Sequence, residues 1–426
     1  MPINVSLLTV AASAGLATLA HAQWTVTNLH PSAGARSRAQ GSADGRQGGY
    51  AFVGGVDHAI AWTGTSASAQ DVHPAGASYS RIYNVARAAS DAAADAVGVA
   101  RFGFDHAAHW SGSTYTFVDL HPAAGFSSVG YDTDGTQQVG IVYIGTPPGG
   151  LYHASLWTGT ADSWVNLHPG SVSSFAYGCG DGMQVGYANF GGSFFNASLW
   201  HGTADSWVNL HPAAASDSVA YAVVGSPGAP GQQGGVAGIN GVDHASIWSG
   251  TAESWVDLHP AGATESEVSG IGRAADGTFV QVGSALFGAV RRAGYWTGSA
   301  ASWVDLSAAL TGSWGDTEAE SVWIDGGQMF VSGWGRNLTT NRDEALLWTG
   351  PAPAAGCDSI DFNRDGLFPD NFDLVDFLSV FAGGNCTGQP TGAPPCNADI
   401  DFNNDGLFPD NEDIFSFFRV FGGGDC

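Results

Sequence analysis

The sequence predicts an all-β, seven-bladed β-propeller followed by a small α-helical domain that carries a duplicated acidic loop. Three patterns carry the prediction. The string Leu-His-Pro recurs at the spacing of a propeller blade, Trp-x-Gly occurs seven times, and one acidic segment near the C-terminus is repeated 40 residues later.

Residues 1–22 read as a signal peptide rather than as structure, because the apolar run from Leu7 to Leu19 ends in the small-x-small site Ala20-His21-Ala22. The mature chain is then expected to begin at Gln23 and to be extracellular or at the cell surface. No later stretch reaches the roughly 18 uninterrupted apolar residues of a membrane-spanning helix, so no transmembrane segment is expected. Charged residues make up 12% of the 426, against 62 Gly and 12% aromatics, which is too apolar and aromatic for a disordered chain. All 13 basic residues are Arg, set against 39 acids, for a net charge of −26. Nucleic acid and anionic membranes are excluded as partners by that balance, whereas divalent cations suit it.

His30, His73, His121, His168, His211 and His259 each precede a Pro, at intervals of 43, 48, 47, 43 and 48 residues, and Ser307 holds the seventh position a further 48 on. The second marker falls at Trp62, Trp110, Trp157, Trp200, Trp248, Trp296 and Trp348. A repeat of ~47 residues is the length of a four-stranded blade. In the unit from 211 to 259, Val219–Val224 reads as a first strand, Gly225 to Gly235 as a loop and Gly235–Ile239 as a second strand. A turn at Asn240-Gly241 leads to a third strand, His244–Trp248, and Ser249-Gly250-Thr251 turns into a fourth, Ser254–Leu258. The last unit stops at Trp348-Thr349-Gly350 without a fourth strand, and Trp24-Thr-Val-Thr-Asn-Leu29 has the form of one. Residues 23–350 are therefore expected to close on themselves through the N-terminal strand, with 351–356 as a linker. Within these units His153-Ala-Ser-Leu-Trp157, Asn196-Ala-Ser-Leu-Trp200 and His244-Ala-Ser-Ile-Trp248 resemble the extracellular HAF repeat family. That resemblance implies a β-rich surface or secreted repeat protein and transfers no catalytic residue.

Residues 357–426 carry a net charge of −11. Asp361-Phe-Asn363-Arg-Asp365-Gly366-Leu367 recurs as Asp401-Phe-Asn403-Asn-Asp405-Gly406-Leu407, which has the spacing of a calcium loop. Oxygen ligands at positions 1, 3 and 5 converge on the ion, Gly at 6 allows the sharp turn, and the backbone carbonyl of Leu367 or Leu407 supplies the seventh position. About two Ca²⁺ are expected, one per loop. The closing acid is either Asp373 and Asp413 at position 13, or Asp370 and Asp410. Each loop runs into an apolar helix, 374–381 or 414–421. Cys357, Cys386, Cys396 and Cys426 frame the two halves and allow three pairings, of which Cys357 with Cys386 and Cys396 with Cys426 would staple each half separately. This duplicated loop-helix resembles a type I dockerin, in particular the Gly-Cys-ending dockerin-like tails of secreted bacterial proteins. The resemblance implies a calcium-ordered module with a cohesin-like or surface docking partner.

The histidines before Pro read as turn chemistry, since copies spread around a ring cannot share one metal ion at bonding distances of about 2 Å. The tryptophans read as packing between blades, with any Trp or Tyr exposed at the rim available to stack on sugars. Cys179 reads as a buried free thiol. Unit seven is irregular. Ser307 to Glu320 reads as an inserted loop holding Trp314, Asp316, Glu318 and Glu320, and Arg342-Asp343-Glu344 stands where other units have His-Ala. No nucleophile elbow, phosphate loop or zinc helix is present in the sequence. The expected function is a secreted non-enzymatic scaffold, its propeller binding a glycan or an extracellular protein and its tail anchoring it to a surface or assembly. The alternative is a carbohydrate-active hydrolase or lyase, if the carboxylates of unit seven close over the central channel.

Overall fold

The computed structural model describes residues 24–87, 94–191, 194–226, 229–275, 277–353, 360–362, 370–382, 402 and 411–422. Seven four-stranded antiparallel sheets follow one another along the chain. Their innermost strands are Ser37–Ala43, Ser80–Arg87, Gly125–Thr133, Ser173–Gly180, Ser218–Ser226, Glu265–Arg273 and Trp314–Asp325, for blades one to seven. Each innermost strand touches the next, and that of blade seven touches that of blade one, so the sheets form a closed ring. The outer strand of blade seven is Thr25–Asn28, paired antiparallel to Arg342–Pro351 with Val26 opposite Trp348. Glu344 bolts this seam. It accepts hydrogen bonds from Asn28 at 2.6 Å, Asn337 at 3.0 Å, Thr340 at 2.8 Å and Arg342 at 2.7 Å. Burial pushes its carboxyl up, but these donors outweigh burial and hold it at about 2.

Two features of the fifth unit depart from the sequence reading. The second strand is longer than expected, Ala229–Ile239, so Gly and Gln residues expected in a loop are paired. The fourth strand is shorter, only Val256–Asp257, because Ser254 folds the preceding residues into a 3₁₀ turn. Its Oγ accepts from Ser249 N at 2.7 Å and donates to Thr251 O at 2.6 Å. Such short outer strands leave little open edge for another chain to pair with.

Neighbouring blades are joined by a recurring three-way clasp. A serine at the start of one innermost strand accepts a backbone N–H from the third strand of the previous blade, as in Ala59 N to Ser80 Oγ at 3.0 Å. The same hydroxyl meets the Nδ1 of the histidine that ends the previous blade, His73, at 2.8 Å. His73 Nε2 lies 3.0 Å from the Ala77 carbonyl, so Nε2 carries the proton and Nδ1 accepts from the serine. Equivalent serine clasps join His30 to Ser37, His121 to Ser128, His168 to Ser174, His211 to Ser218 and His259 to Ser266, at 2.7–2.8 Å. At the seventh junction Thr317 Oγ1 takes the N–H of Ala293 at 2.9 Å, and Ser307 replaces the histidine. The seven tryptophans of Trp-x-Gly are all buried between blades. Trp110, for example, packs on Ala59, Ala61 and Ile82 and donates to Val72 O at 2.9 Å.

The two C-terminal helices, Asn371–Phe381 (α1) and Asn411–Phe421 (α2), share a core of Phe362, Phe377, Phe402 and Phe417. Phe377 and Phe417 stack at 3.9 Å, and Phe362 and Phe402 meet them edge-on at 5.4 Å and 5.0 Å. The duplication in sequence is thus a duplication in packing.

Ser80→Ala should destabilise the propeller by about 1–3 kcal/mol, because it leaves a buried N–H without a partner. Ser80→Thr should lose much less, since the seventh junction uses threonine. Guanidinium unfolding of the three proteins checks both.

Candidate functional site

One register slip against the second strand recurs at the same place in all seven innermost strands, and it leaves unpaired Gln40, Tyr83, Tyr131, Tyr177, Tyr221, Ser269 and Glu320; blades three, five and seven slip a second time elsewhere. A β-bulge of this kind re-aims the extra side chain, here into the central channel. The bulge also dictates the residue opposite. Gly49, Gly98, Gly140, Gly186, Gly235, Gly283 and Gly333 in the second strands each lie where an added Cβ would fall 1.8–2.0 Å from an innermost-strand carbonyl oxygen. Nothing larger than hydrogen fits there.

The seven channel residues are unevenly distributed. Blades two to five supply a half-ring of tyrosines, with neighbouring ring centroids at 5.7 Å (Tyr83–Tyr131), 5.0 Å (Tyr131–Tyr177) and 5.4 Å (Tyr177–Tyr221). Blades six, seven and one supply Ser269, Glu320 and Gln40, with Glu267 beside them. Together they line a cavity of about 590 Å³, which is within the usual range for small-molecule sites. Burial raises the Glu320 carboxyl to about 8, helped by the nearby carboxylates Glu318 and Glu267. Burial likewise raises Glu267, with Glu318 adding to it. Asp132, on the tyrosine side, is raised to about 7 by burial, although it accepts from Cys179 N at 2.7 Å, Thr133 N at 2.8 Å and the Asn84 amide. Burial also raises the tyrosine hydroxyls, that of Tyr177 to about 12, so the phenols stay protonated.

The same division extends over the face where the innermost strands begin. On blades two to four a continuous aromatic strip runs through Phe104, Phe126, Tyr143, Tyr152, Phe175, Tyr187 and Phe195, with successive centroids 4.2–6.0 Å apart. Phe104, Tyr152 and Phe195 are 50%, 41% and 37% exposed. Phe175 joins the strip to the channel through Tyr177 at 5.7 Å. On blades six, seven and one the surface is ionic. Arg291 pairs with Glu265 at 2.9 Å, Arg38 with Asp343 at 2.7 Å and Arg36 with Asp57 at 3.1 Å.

No family model and no curated protein matches the chain. Among solved structures it is similar to a puromycin hydrolase, at 12% identity and TM-score 0.49, over 72% of this chain and 53% of that one. It is also similar to an oligogalacturonate lyase from Vibrio parahaemolyticus, at 9% identity and TM-score 0.47, over 77% and 93%. The β-propeller domain of the Trilobed protease from Pyrococcus furiosus matches at 11% and 0.41, over 62% and 80%. The chain spans about half the length of the puromycin hydrolase.

The carboxylates singled out in unit seven are on a strand and not on an inserted loop, because Trp314–Asp325 is the innermost strand itself and only Ser307–Ala309 forms an extra 3₁₀ turn. Three roles separate along it. Asp316 is exposed and accepts from Arg291 N at 3.0 Å, Glu318 accepts from Trp334 Nε1 at 3.0 Å, and Glu320 lines the cavity. Asp343 pairs with Arg38, while Glu344 closes the ring, so neither is a loop acid. Of the two residue types expected as rim platforms the strip uses tyrosine, with phenylalanine beside it, and the Trp-x-Gly tryptophans are all interior. His58, His106, His153 and His244 lie on third strands and stack on the clasp histidines at 3.9–4.2 Å. Cys179 is buried, and burial pushes its thiol well up, which suits a structural rather than a nucleophilic cysteine.

In the tail, Asp370 caps α1, its Oδ1 accepting from Phe372 N at 2.7 Å and Asp373 N at 3.3 Å. Asp373 Oδ2 in turn accepts from Asp370 N at 3.0 Å, and both Asp373 and Asp413 are fully buried. Asn363, Asp365, Leu367, Asp401, Asn403, Asp405, Leu407 and Asp410 lie outside the described residues, as do Cys357, Cys386, Cys396 and Cys426. Among the described residues no helix is long and apolar enough to cross a membrane.

Two outcomes are expected. Gly186→Ala should cost about 1–3 kcal/mol by overpacking against the Phe175 carbonyl, and should alter the near-ultraviolet tyrosine dichroism by displacing the Tyr177 bulge. The second concerns pH. Burial lowers the pKa of all six clasp histidines below 6.5, so their contribution is complete above that value and lost as pH falls through their folded pKa values. The melting temperature should fall between pH 7 and pH 5. Glu320 has the opposite sign, its raised pKa favouring the fold at low pH and costing stability as pH rises through about 8. Glu320→Gln should therefore stabilise the protein more at pH 9 than at pH 5 in thermal melts.

Proposed function

We propose that this chain is an exported binding and display scaffold, whose propeller holds a glycan on the aromatic strip of blades two to four. The observation that carries this reading is the strip itself, a row of rings that is half exposed and continuous with a tyrosine-lined cavity. Flat apolar rings with hydroxyls beside them suit the stacking of sugar faces and the hydrogen bonding of their edges. The clasps and glycines repeat around the whole ring, whereas the strip does not, as expected where one arc has been adapted to a ligand.

The C-terminal domain would order around about two Ca²⁺ and dock the propeller to a surface or a partner protein. Asp361, Asn363 and Asp365 with the Leu367 carbonyl would hold one ion, and Asp401, Asn403 and Asp405 with the Leu407 carbonyl the other. Asp373 and Asp413 suit the closing role better than Asp370 and Asp410, since they are fully buried and Asp370 is committed to capping α1. The ions would supply counter-charge to a strongly acidic segment. Val375 and Leu378 on α1 and Phe415 and Phe418 on α2 are exposed at matching positions, which supports an apolar docking face on each helix.

A second reading is favoured by Glu320. A carboxyl raised to about 8 is a general acid at neutral pH, and Glu318, 3.5 Å from Arg291, is an ion-paired carboxylate on the same strand. Release of reducing ends from a polysaccharide by the parent, and none by Glu320→Gln, would establish a glycosidase and displace the scaffold reading.

For the scaffold, the double variant Tyr152→Ala, Phe195→Ala removes two exposed rings worth about 1 kcal/mol each. It should bind a glycan-array hit roughly thirtyfold more weakly while melting like the parent. Calorimetric titration with Ca²⁺ should give a stoichiometry near two, and chelation should loosen residues 357–426 without changing the melt of the propeller. Absence of calcium binding would remove the tail assignment.

A further inference from the structure

The central cavity has a chemistry different from that of the strip, and it is lined by groups that the blade clasps do not use. Among the described residues no three His, Cys, Asp or Glu side chains converge on a point where one metal ion could sit. The carboxyl groups free of backbone donors are spread over neighbouring strands, Glu267 on blade six and Glu320 on blade seven, across the channel from four tyrosine rings, while Asp132 among the tyrosines is taken up by Cys179 N, Thr133 N and the Asn84 amide. The guanidinium groups nearby are already engaged: Arg81, beside Tyr83, pairs with Asp57. Arg38 pairs with Asp343 at 2.7 Å and lies over the Trp334 ring at 3.6 Å. Arg291 serves Glu265 at 2.9 Å, Glu318 at 3.5 Å and Glu267 at 3.6 Å at once. No guanidinium lines the cavity, whereas the carboxyl groups of Glu267, Glu320 and Asp132 do. An anion is excluded from such a space, and a cation that fills it must be bulky enough to reach aromatic faces on one side and carboxylates on the other.

We infer that the central cavity binds a compact organic ammonium ion, held between the ring faces of Tyr83, Tyr131, Tyr177 and Tyr221 and the carboxylates of Glu267 and Glu320. A cation over a tyrosine face is drawn by the negative centre of the ring, and the attraction grows when water is excluded. A neutral polyol would gain hydrogen bonds but would not draw the carboxyl groups into their ionised form. This site shares no residue with the exposed row, which it adjoins only where Tyr177 meets Phe175.

Binding also has a proton signature. Glu320 faces Glu318 on its own strand, Glu267 from blade six, and Arg38 and Trp334 from the strands beside it, while Arg291 lies against Glu267 and Glu318. At pH 7 the acid form of Glu320 dominates. An arriving ammonium favours the carboxylate, so the O–H bond of Glu320 breaks and its proton leaves to buffer.

The test is calorimetry on the full exported chain at pH 7 with choline and tetramethylammonium, against 3,3-dimethylbutan-1-ol as the uncharged analogue of choline. The ammonium ions should bind saturably and the alcohol should not. Binding heats in buffers of different ionisation enthalpy should report a proton released. Glu320→Gln should abolish that release and weaken binding roughly tenfold or more. Tyr177→Phe should keep the affinity within about threefold, whereas Tyr177→Leu should lose about tenfold. If the alcohol binds as tightly as choline, or if the ammonium heats match sodium chloride at equal ionic strength, the inference is overturned. The comparison of ligands on the unaltered chain decides this whether or not each variant folds.

Discussion

The structure depends on one β-bulge that every innermost strand carries at the same place. A seven-fold ring of twisted sheets leaves a channel that a flat strand would line with whichever side chains its alternation presents. The bulge breaks that alternation at one height in every blade and places a single side chain at the axis. It does so by pressing a carbonyl oxygen against the second strand, which is why each blade needs a glycine there. Where innermost strands approach each other the same limit returns. A Cβ on Gly41 would fall 2.5 Å from the Asn84 backbone, and one on Gly178 would fall 2.5 Å from the Tyr221 carbonyl oxygen. The glycine richness of the chain is thus partly the requirement of a narrow, bulged centre.

The clasps hold that centre in place. Serine hydroxyl, histidine ring and strand N–H join one blade to the next without a charged group, because burial keeps the histidine neutral and its Nε2–H anchors it to a carbonyl. Each element satisfies a buried polar group of another, so the junctions tolerate little change and are nearly identical around the ring. At the seam between the chain's ends the His30–Ser37 clasp is kept, and Glu344 with its four donors stands where other blades stack a second histidine, so that charge is added to repetition.

Much of this was legible in the sequence, and the unread part has a definite cause. The blades, their tryptophans and the strand at Trp24–Leu29 show themselves because each carries a marker that recurs with the period of the fold. The channel ring does not, because a bulge disrupts the two-residue alternation by which a strand is recognised. Tyr83, Tyr131, Tyr177 and Tyr221 are in fact spaced like the blades, at 48, 46 and 44 residues, but they stand among small residues that do not mark a strand end. Blade seven was misread for a related reason. Without histidine at Ser307 the junction lost its marker, and an innermost strand rich in acids resembled a loop. The residues missed are those at which the repeats differ.

That divergence is itself informative. A ring built only for stability would fill its axis with apolar side chains, as the interior of a small closed barrel does. Here three of the seven positions are Ser269, Glu320 and Gln40, and Glu267 stands beside them with its carboxyl raised by burial. Desolvating two neighbouring carboxyls opposes folding whenever they ionise. Nothing in the clasps, the glycines or the tryptophan packing requires acids at these places, and tyrosine occupies the equivalent positions in four other blades without strain on the ring. The acids are therefore best understood through what they can meet in the cavity, and the four tyrosines opposite define the shape and polarity of that ligand more narrowly than the exposed face does.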